Sequence, residues 1–329
     1  MICYPGAMSR VVLVPALVLG LAGCGGASTA GGDAAADTGL AGDGAAGDAG
    51  APDGPAPGDG GAGDGAPGTD GSPRVWGVTL DDVSQLSYVV ESLQNLSRRP
   101  TARVVFDEFV PASDYVDAAT QIHAVADVMG EILDSQFVDQ YSVTDYRARA
   151  VEYLGALGDV VDIWEVGNEI NGEWLGTTAD VVAKMTAAYE EVTTRGKRAA
   201  LTLYYNQDCW DQADHEVFTW AAANVPAAMK QGLDYVLFSY YEDDCNDLQP
   251  DWPTQFAHLA TMFPNSRLGF GECGTANTAA KSAYVTRYYT TTIAEPRYVG
   301  GYFWWYYAED MVPYTKPLWT VLDQAIASM

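Results

Sequence analysis

The stretch VTDYRARAVEYLGALGDVVDIWEVGNE, residues 143–169, contains the unit from which the fold is built. Its first part, Val143–Leu157, has apolar side chains at helical spacing, and Val160–Val166 is a short apolar run typical of a buried strand. Two polar residues, Asn168 and Glu169, follow that run directly. The stretch therefore predicts a helix that leads into a buried strand, with polar side chains just beyond the strand's end.

The same alternation of short apolar runs and amphipathic segments extends in both directions from this unit. The predicted strands are Val75–Thr79, Arg103–Phe106, Val128–Leu133, Val160–Val166, Ala199–Tyr205, Tyr235–Tyr240, Arg267–Gly271 and Tyr302–Tyr306. The predicted helices are Val83–Leu96, Tyr115–Ala126, Val143–Leu157, Thr178–Thr194, His215–Val225, Thr254–Met262, Thr278–Thr292 and Leu318–Ile326. Eight such repeats predict an α/β fold, a single (β/α)₈ TIM barrel. The main alternative is a doubly wound open sheet, but the Gly-rich turn that often marks one is missing after the first strand.

The N-terminal 24 residues have the pattern of an export signal. Arg10 precedes an apolar run, Val11–Leu21, which has the length of a signal-peptide core and is too short to favour a membrane-spanning helix. The run ends in Leu-Ala-Gly-Cys at residues 21–24, which resembles a bacterial lipobox. This resemblance implies a lipoprotein of the bacterial cell envelope, anchored to the membrane through acylated Cys24 and facing the periplasm or the exterior. The alternative is an ordinary signal peptide with an incidental cysteine.

Residues 25–73 form a segment of low complexity between the signal and the globular part. They are almost only Gly, Ala, Asp, Pro, Thr and Ser, with no aromatic residue. Such a composition cannot build a hydrophobic core, so we expect a disordered linker. Residues 74–329 contain every Trp of the chain and have the length of one catalytic barrel.

The charge of the chain is strongly negative. The formal net charge is −27, and residues 74–329 contain 16 basic and 36 acidic residues. A field of this sign repels phosphate backbones, so we expect no nucleic-acid partner. It suits an exported protein with a neutral substrate, and we expect a monomer.

Functional side chains of a (β/α)₈ barrel come from the C-terminal ends of its strands. In this sequence the residues after the predicted strands are unusually polar or aromatic. They are Asp81, Asp82, Asp107, Glu108, Asp134, Asn168, Glu169, Asn206, Asp208, Tyr241, Glu242, Asp243, Glu272 and Trp305.

Residues 164–172, WEVGNEING, resemble the strand-four motif of clan A retaining glycoside hydrolases, especially the arabinofuranosidase-like and heparanase-like members. The resemblance implies that Glu169 is the general acid/base and that Asn168 binds the sugar 2-hydroxyl. Glu272 ends the seventh predicted strand and resembles the nucleophile of these enzymes. The two glutamates lie 103 residues apart, which leaves room for strands five and six with their helices. The resemblance therefore implies cleavage of O-glycosidic bonds of a poly- or oligosaccharide by two glutamates, without a cofactor.

Further residues are candidates for binding the sugar. Trp304 and Trp305 resemble the aromatic floor of the family's site, and either Tyr240 or Tyr241 resembles the tyrosine that bonds the nucleophile. Asn206 follows the fifth predicted strand. Trp174, Trp210 and Trp252 lie in predicted loops, where they either stack on sugar rings or pack on helices.

The retaining mechanism sets expectations for the carboxyl groups. It needs the two carboxyls about 5–5.5 Å apart, one protonated and one ionised. We expect the charge of Glu272 to raise the pKa of Glu169. Glu165 has the same strand parity as Glu169, so it also faces the barrel interior and needs a partner, for which Arg103 is the candidate.

The cysteines and histidines indicate structure rather than metal chemistry. Cys209 and Cys245 follow neighbouring strands, which predicts a disulfide in an exported protein. Cys273 points away from Glu272 and reads as a buried free thiol. No histidine ends a predicted strand, so we expect no zinc site. The acidic run at residues 243–247 is either a solvated loop or a calcium site, and we expect no metal.

Two other functions remain open from the sequence. One is a surface glycan-binding lipoprotein that has lost turnover, which would keep the aromatic residues but would not need paired glutamates. The other is a barrel enzyme of different chemistry, such as a metal-dependent lyase. One departure from the family is that arabinofuranosidase-like relatives usually carry an added β-sandwich, which does not fit within residues 74–329. The sugar and its linkage stay open, with a preference for endo action on a polysaccharide.

Overall fold

The computed structural model describes residues 74–329, which form a closed barrel of eight parallel strands in sequential order. The strands are β1 Val75–Leu80, β2 Thr101–Val105, β3 Asp127–Glu131, β4 Ile163–Glu165, β5 Arg198–Tyr204, β6 Tyr235–Tyr240, β7 Arg267–Cys273 and β8 Tyr298–Trp304. Strand β8 pairs with β1 and closes the barrel. The predicted (β/α)₈ fold is confirmed. The predicted signal peptide, with Cys24, and the predicted linker lie outside the described residues.

The helices surround the barrel. They are α1 Leu86–Gln94, α2 Val116–His123, α3 Val143–Leu157, α4 Thr178–Thr194, α5 Val217–Asn224, α6 Ala227–Gly232, α7 Trp252–Met262, α8 Lys281–Tyr289, α9 Tyr307–Met311 and α10 Pro317–Ala327. Short 3₁₀ helices lie at Ala112–Tyr115, Ser135–Gln140, Ala213–His215 and Glu242–Asp244. Within residues 74–329, no helix combines the length and the apolar character needed to cross a bilayer.

Strand β8 begins four residues earlier than the sequence predicts. Gly300 and Gly301 lie inside it with φ values of 92° and 90°, a region that glycine enters at no steric cost. A Cβ at Gly301 would overlap the carbonyl oxygen of Phe270 on β7, so the two strands approach closely at this point. The glycines thus belong to the strand, although they are typical of a loop.

The barrel interior changes character along its axis. Near the start of the strands it is apolar, with a small cluster around Met129, Ile163 and Leu237. Arg103, Glu131 and Glu165 are fully buried further along the same strands. Because side chains alternate between the two faces of a strand, Glu131 and Glu165 share the inward face with Met129 and Ile163. The polar half of the interior therefore lies toward the C-terminal mouth, the end at which the strands finish.

Candidate active site

Glu169 lies in the turn after β4 and is almost fully buried. Its backbone has a φ of 49°, in the left-handed region that a non-glycine residue rarely adopts. The hydroxyls of Ser135 and Ser239 donate to its carboxyl oxygens at 2.8 and 2.7 Å. Burial raises the pKa of Glu169 to about 7, and the two serine hydrogen bonds oppose this rise. Glu169 can therefore hold a proton near neutral pH.

Glu272 lies near the end of β7 and is buried to the same degree. Arg103 Nη1 donates to Glu272 Oε2 at 2.8 Å, and the Tyr241 hydroxyl donates to Oε1 at 2.6 Å. Burial raises the pKa of Glu272 to about 8, Arg103 lowers it, and the charge of Glu169 raises it. Both oxygens of this carboxylate thus face a hydrogen-bond donor.

The two glutamates converge on one mouth of the barrel. Strands β4 and β7 are parallel, so Glu169 and Glu272 both lie at the C-terminal mouth. Ser239 on β6 connects them, because its Cα pairs in register with Glu272 while its hydroxyl donates to Glu169. The sequence prediction that both carboxyls share one rim agrees with this placement.

The main cause of the raised pKa of Glu169 is burial, and the charge of Asp134 raises it further. The sequence predicts that the two glutamates influence each other, and the charge of Glu169 does raise the pKa of Glu272. Asp134 follows β3 and is close enough in space to act on both glutamates. The apolar surroundings and the β3 loop therefore set the proton affinity of Glu169.

Arg103 lies beneath the two glutamates and is fully buried among three carboxylates. Its guanidinium nitrogens lie 2.7 Å from Glu165, 2.8 Å from Glu272 and 3.0 Å from Glu131. The predicted pairing of Glu165 with Arg103 is confirmed. One guanidinium thereby joins side chains from β2, β3, β4 and β7. It donates hydrogen bonds to Glu165 and Glu272, whereas its contact with Glu131 is an ion pair without hydrogen-bond geometry.

Sequence reasoning missed three residues of this site, namely Ser135, Ser239 and Glu131. The serines lacked any signal, since single serines occur at many loop and strand positions. Glu131 had a signal of the same kind as Glu165, because it is a charged residue at an inward position of an apolar strand. Burial raises its pKa well above the ordinary value for glutamate.

Two of the predicted sugar-binding residues border the glutamates. Asn168 is buried, and within the described residues its side-chain oxygen has no hydrogen-bond partner. A buried polar atom of this kind normally has a partner, so Asn168 is ready to bond a ligand. Trp305 is half-buried, and its ring lies 5.8 Å from the Arg103 guanidinium. Tyr241, already described, is the tyrosine that bonds Glu272.

Three other predicted sugar-binding residues have structural roles instead. The Tyr240 hydroxyl donates to the carbonyl of Leu248, and its ring lies in the aromatic core. Trp304 is fully buried, and its indole nitrogen donates to Asp310 at 3.2 Å. The amide of Asn206 bonds the backbone at both ends, to the His215 carbonyl and to the Val217 amide. These predictions of substrate contact are corrected by the structure, because the polar groups already have protein partners.

The tryptophans of the loops divide into exposed and packed side chains. Trp210 lies in the loop after β5 and is 38% exposed. Trp174 is half-buried, with its ring edge-on to Tyr204 at 5.3 Å. Trp252 was expected in a loop, but it begins α7 and packs 4.8 Å from Phe270. Trp210 is thus the loop tryptophan with the freest surface.

A disulfide joins Cys209 to Cys245, with 5.2 Å between their Cα atoms, and connects the loops after β5 and β6. Cys273 is a buried free thiol. Asp243, at the start of the acidic run, accepts hydrogen bonds from Thr275 and Tyr284. In the range 74–329 there is no group of three or more His, Cys, Asp or Glu side chains arranged to hold a metal ion.

Comparison with known proteins gives similarity in structure but not in sequence. No protein-family model and no curated protein matches the chain. The fold is similar to Gas2p of Saccharomyces cerevisiae in complex with laminaritriose and laminaritetraose, with 14% identity and a TM-score of 0.51. Gas2p in complex with laminaripentaose gives 13% identity and a TM-score of 0.50. Both alignments cover 77% of this chain and 64% of the other, so the chain spans less than two thirds of Gas2p. Similarity at this identity establishes the fold.

Proposed function

We propose that residues 74–329 are a retaining glycoside hydrolase that cleaves O-glycosidic bonds of a poly- or oligosaccharide, with Glu169 as acid/base and Glu272 as nucleophile. The observation that carries the proposal is the contrast between two buried carboxyls at one mouth. Glu272 faces a guanidinium and a phenol, whereas Glu169 faces two serine hydroxyls.

These neighbours favour one distribution of protons. Burial raises the pKa of both glutamates, so the pair retains a proton near neutral pH. A guanidinium can only donate hydrogen bonds, so Arg103 matches an ionised Glu272. A serine hydroxyl can either donate or accept, so Ser135 and Ser239 accommodate a protonated Glu169. The pKa of Glu272, about 8, is higher than that of Glu169, about 7, so these values alone would place the shared proton on Glu272. We assign it to Glu169, because both oxygens of Glu272 face donors whereas the serines beside Glu169 can also accept, and a retaining mechanism requires this distribution.

The chemistry then proceeds in two displacements. Glu169 donates its proton to the leaving oxygen while the carboxylate of Glu272 attacks the anomeric carbon, forming a covalent glycosyl–enzyme. The ionised Glu169 next removes a proton from water, which attacks the anomeric carbon and releases Glu272. Tyr241 and Arg103 hold the nucleophile in place, and the unpaired oxygen of Asn168 accepts from a sugar hydroxyl. Trp305 provides an aromatic surface beside the sugar.

A neutral glycan fits the electrostatics of the chain. An excess of acidic residues disfavours polyanionic substrates. Laminari-oligosaccharides are the first candidates, because the structurally similar Gas2p has been crystallised with them. Xylo-, cello- and arabino-oligosaccharides complete the panel, since the strand-four motif leaves the sugar open.

The decisive test is activity on that panel and on chromogenic glycosides, with Glu169→Gln and Glu272→Gln as variants. We expect each variant to lower kcat at least about 100-fold, the scale of general acid–base catalysis. Glu190→Gln is the matched control, because Glu190 is an exposed carboxylate on α4, and it should retain full activity.

The roles of the two glutamates are separable by chemistry. A mechanism-based fluoro-glycoside should label Glu272, and azide should rescue a Glu169→Ala variant. Tight glycan binding without any product after long incubation would reject catalysis and leave a glycan-binding protein. Loss of activity on treatment with a chelator would instead indicate a metal-dependent enzyme.

We also propose that the chain is lipid-anchored through Cys24, with residues 25–73 as a tether. The support is the lipobox-like sequence at residues 21–24 after an apolar run. Growth with an alkyne-tagged palmitate should label the wild-type protein and leave a Cys24→Ser variant unlabelled. Equal labelling of the two would reject the anchor.

A further inference from the structure

Phe109 is an aromatic residue held in an unfavourable position at the C-terminal mouth. It follows β2 and is 67% exposed, the largest value for a large apolar side chain in residues 74–329. Its backbone φ is 59°, in the left-handed region that a bulky residue rarely adopts. The exposed part of the ring and the left-handed backbone both cost stability, and backbone strain of this kind concentrates at binding sites.

The loop that carries Phe109 is fixed by buried side chains of α3. Arg149 donates to the carbonyl oxygens of Phe106 and Asp107 at 2.8 Å, and to that of Val110 at 3.3 Å. The Tyr153 hydroxyl donates to the same Val110 carbonyl at 2.8 Å. These contacts hold the backbone on both sides of Phe109, so the exposed ring is presented in one orientation.

The side chain of Tyr141 packs against one face of the Phe109 ring. The Phe109 amide donates to the Tyr141 hydroxyl at 2.7 Å, and the two rings stack with centroids 5.0 Å apart and planes inclined by 11°. Tyr141 is buried, with the Arg149 guanidinium 5.8 Å from its ring. We call these two rings the aromatic platform. One face of Phe109 rests on Tyr141, which leaves the other as a flat apolar surface in water.

The aromatic platform is connected to the candidate active site through one loop. Ser135, which donates to Glu169, and Tyr141 lie at the two ends of the loop after β3. The 3₁₀ helix Ser135–Gln140 joins them and rises roughly 12 Å over six residues. That rise is longer than one sugar ring, so we infer that a glycan bound at Glu169 reaches the platform through units beyond the one at the cleavage point.

We propose that the aromatic platform is a distal subsite, on which a pyranose ring of the bound glycan stacks through its apolar C–H face. This subsite rests on the proposed function, and it makes the protein selective for chains over short glycosides. The ring it takes is neutral, because Asp107 and Glu108 directly precede Phe109 and repel a uronic acid.

The test is equilibrium binding of oligosaccharides of three and five units by isothermal titration calorimetry. The full chain carries Glu169→Gln so that no turnover intervenes, and the probes are the laminari-, cello- and xylo-oligosaccharide series. In the series that binds, we expect the five-unit chain to bind more tightly than the three-unit chain. Adding Phe109→Ala should weaken the five-unit chain about tenfold and leave the three-unit chain unchanged. Adding Phe109→Trp, which keeps a flat ring, should retain the preference.

Three results would overturn this subsite. Equal weakening of both chain lengths by Phe109→Ala would mean that the residue acts on the fold of the mouth. If Phe109→Ala kept the preference for the five-unit chain, the Phe109 ring would not contact the glycan. If no oligosaccharide of the three series bound, these glycans would not be ligands of the protein. Binding is measured apart from turnover, so the subsite and the hydrolase activity can fail separately.

Discussion

Arg103 shows how much one side chain decides at this site. It is fully buried and lies within 3.0 Å of Glu131, Glu165 and Glu272. Removing one partner from a buried ion pair leaves a charge without compensation. In this cluster a single substitution would leave three carboxylates in that condition.

We therefore predict that Arg103→Met lowers the free energy of unfolding by about 3–5 kcal/mol, as measured by urea denaturation. Because Arg103 lowers the pKa of Glu272, its loss should also move the acidic limb of the kcat/KM profile to higher pH. The matched control is Arg147→Met, since Arg147 is an exposed arginine paired with Glu191. Equal stability of the two variants would contradict this role of Arg103.

Phe109 gives a second prediction at the same scale. Phe109→Ala and Phe109→Gly both remove the ring, but only glycine adopts a φ of 59° without strain. We predict that Phe109→Gly is the more stable of the two by about 1 kcal/mol, measured as the difference in urea midpoints. At Tyr88, an exposed aromatic residue inside α1, the order should reverse, since glycine weakens a helix interior. The same order at both positions would argue against strain at Phe109.

The sequence predicts most positions of the site, but at one of them it leaves two neighbouring residues open. It predicts a tyrosine on β6 that bonds the nucleophile, and the structure selects Tyr241 over Tyr240. The pairing of β6 with β7 shifts between Phe238 and Ser239, but the additional residue lies on β7, so β6 keeps its regular alternation. Leu237 and Ser239 face the barrel interior and Tyr241 continues this series, whereas Tyr240 lies in the outer aromatic core. The choice of Tyr241 therefore follows from strand parity once one inward residue of β6 is known.

At the scale of elements, the sequence predicts the bounds of a helix correctly where a capping residue precedes its first turn. The bounds of α3 and α4 agree with the sequence prediction at both ends. Ser142 and Thr177 cap these helices by accepting from the amides of Asp145 and Asp180, a pattern visible in the sequence. Strand β8 was harder to predict, because Gly300 and Gly301 serve the packing of two strands and carry no local sign of it.

The disulfide connects the loops after β5 and β6 at the C-terminal mouth of the barrel. Cys209 and Cys245 lie 36 residues apart, so the bridge restricts the segment of the unfolded chain that contains α5, α6 and β6. We predict that Cys209→Ser together with Cys245→Ser lowers the free energy of unfolding by about 2–4 kcal/mol. Urea denaturation measures this, with Cys273→Ser as a control for the loss of a buried thiol. An unchanged unfolding midpoint in the double variant would show that the bridge does not constrain the unfolded state.

At the scale of the whole molecule, buried glutamate side chains are concentrated toward the C-terminal mouth of the barrel. Glu131, Glu169 and Glu272 are buried, and burial raises the pKa of each of them. Residues 74–329 also contain 36 acidic against 16 basic residues. Raising the pH therefore adds charge both inside the fold and to an already negative surface, and both effects oppose folding.

This arrangement predicts an unusual dependence of stability on pH. The pKa of Glu169 is about 7 in the folded protein, against 4.5 for an ordinary glutamate. Between these pH values the folded state binds more protons than the unfolded state, so stability falls as pH rises. The contribution of Glu169 is fully present below about pH 4.5 and is lost as pH rises through about 7. A carboxylate with a lowered pKa would give the opposite slope.

We predict that the wild-type protein is more stable to urea at pH 5 than at pH 8. In Glu169→Gln that difference should shrink by on the order of 3 kcal/mol, because glutamine does not titrate. Glu190→Gln should keep the wild-type dependence, since Glu190 is exposed on α4. If Glu169→Gln kept the full difference, Glu169 would titrate as an ordinary carboxyl and would not hold the proton that general acid catalysis needs at neutral pH.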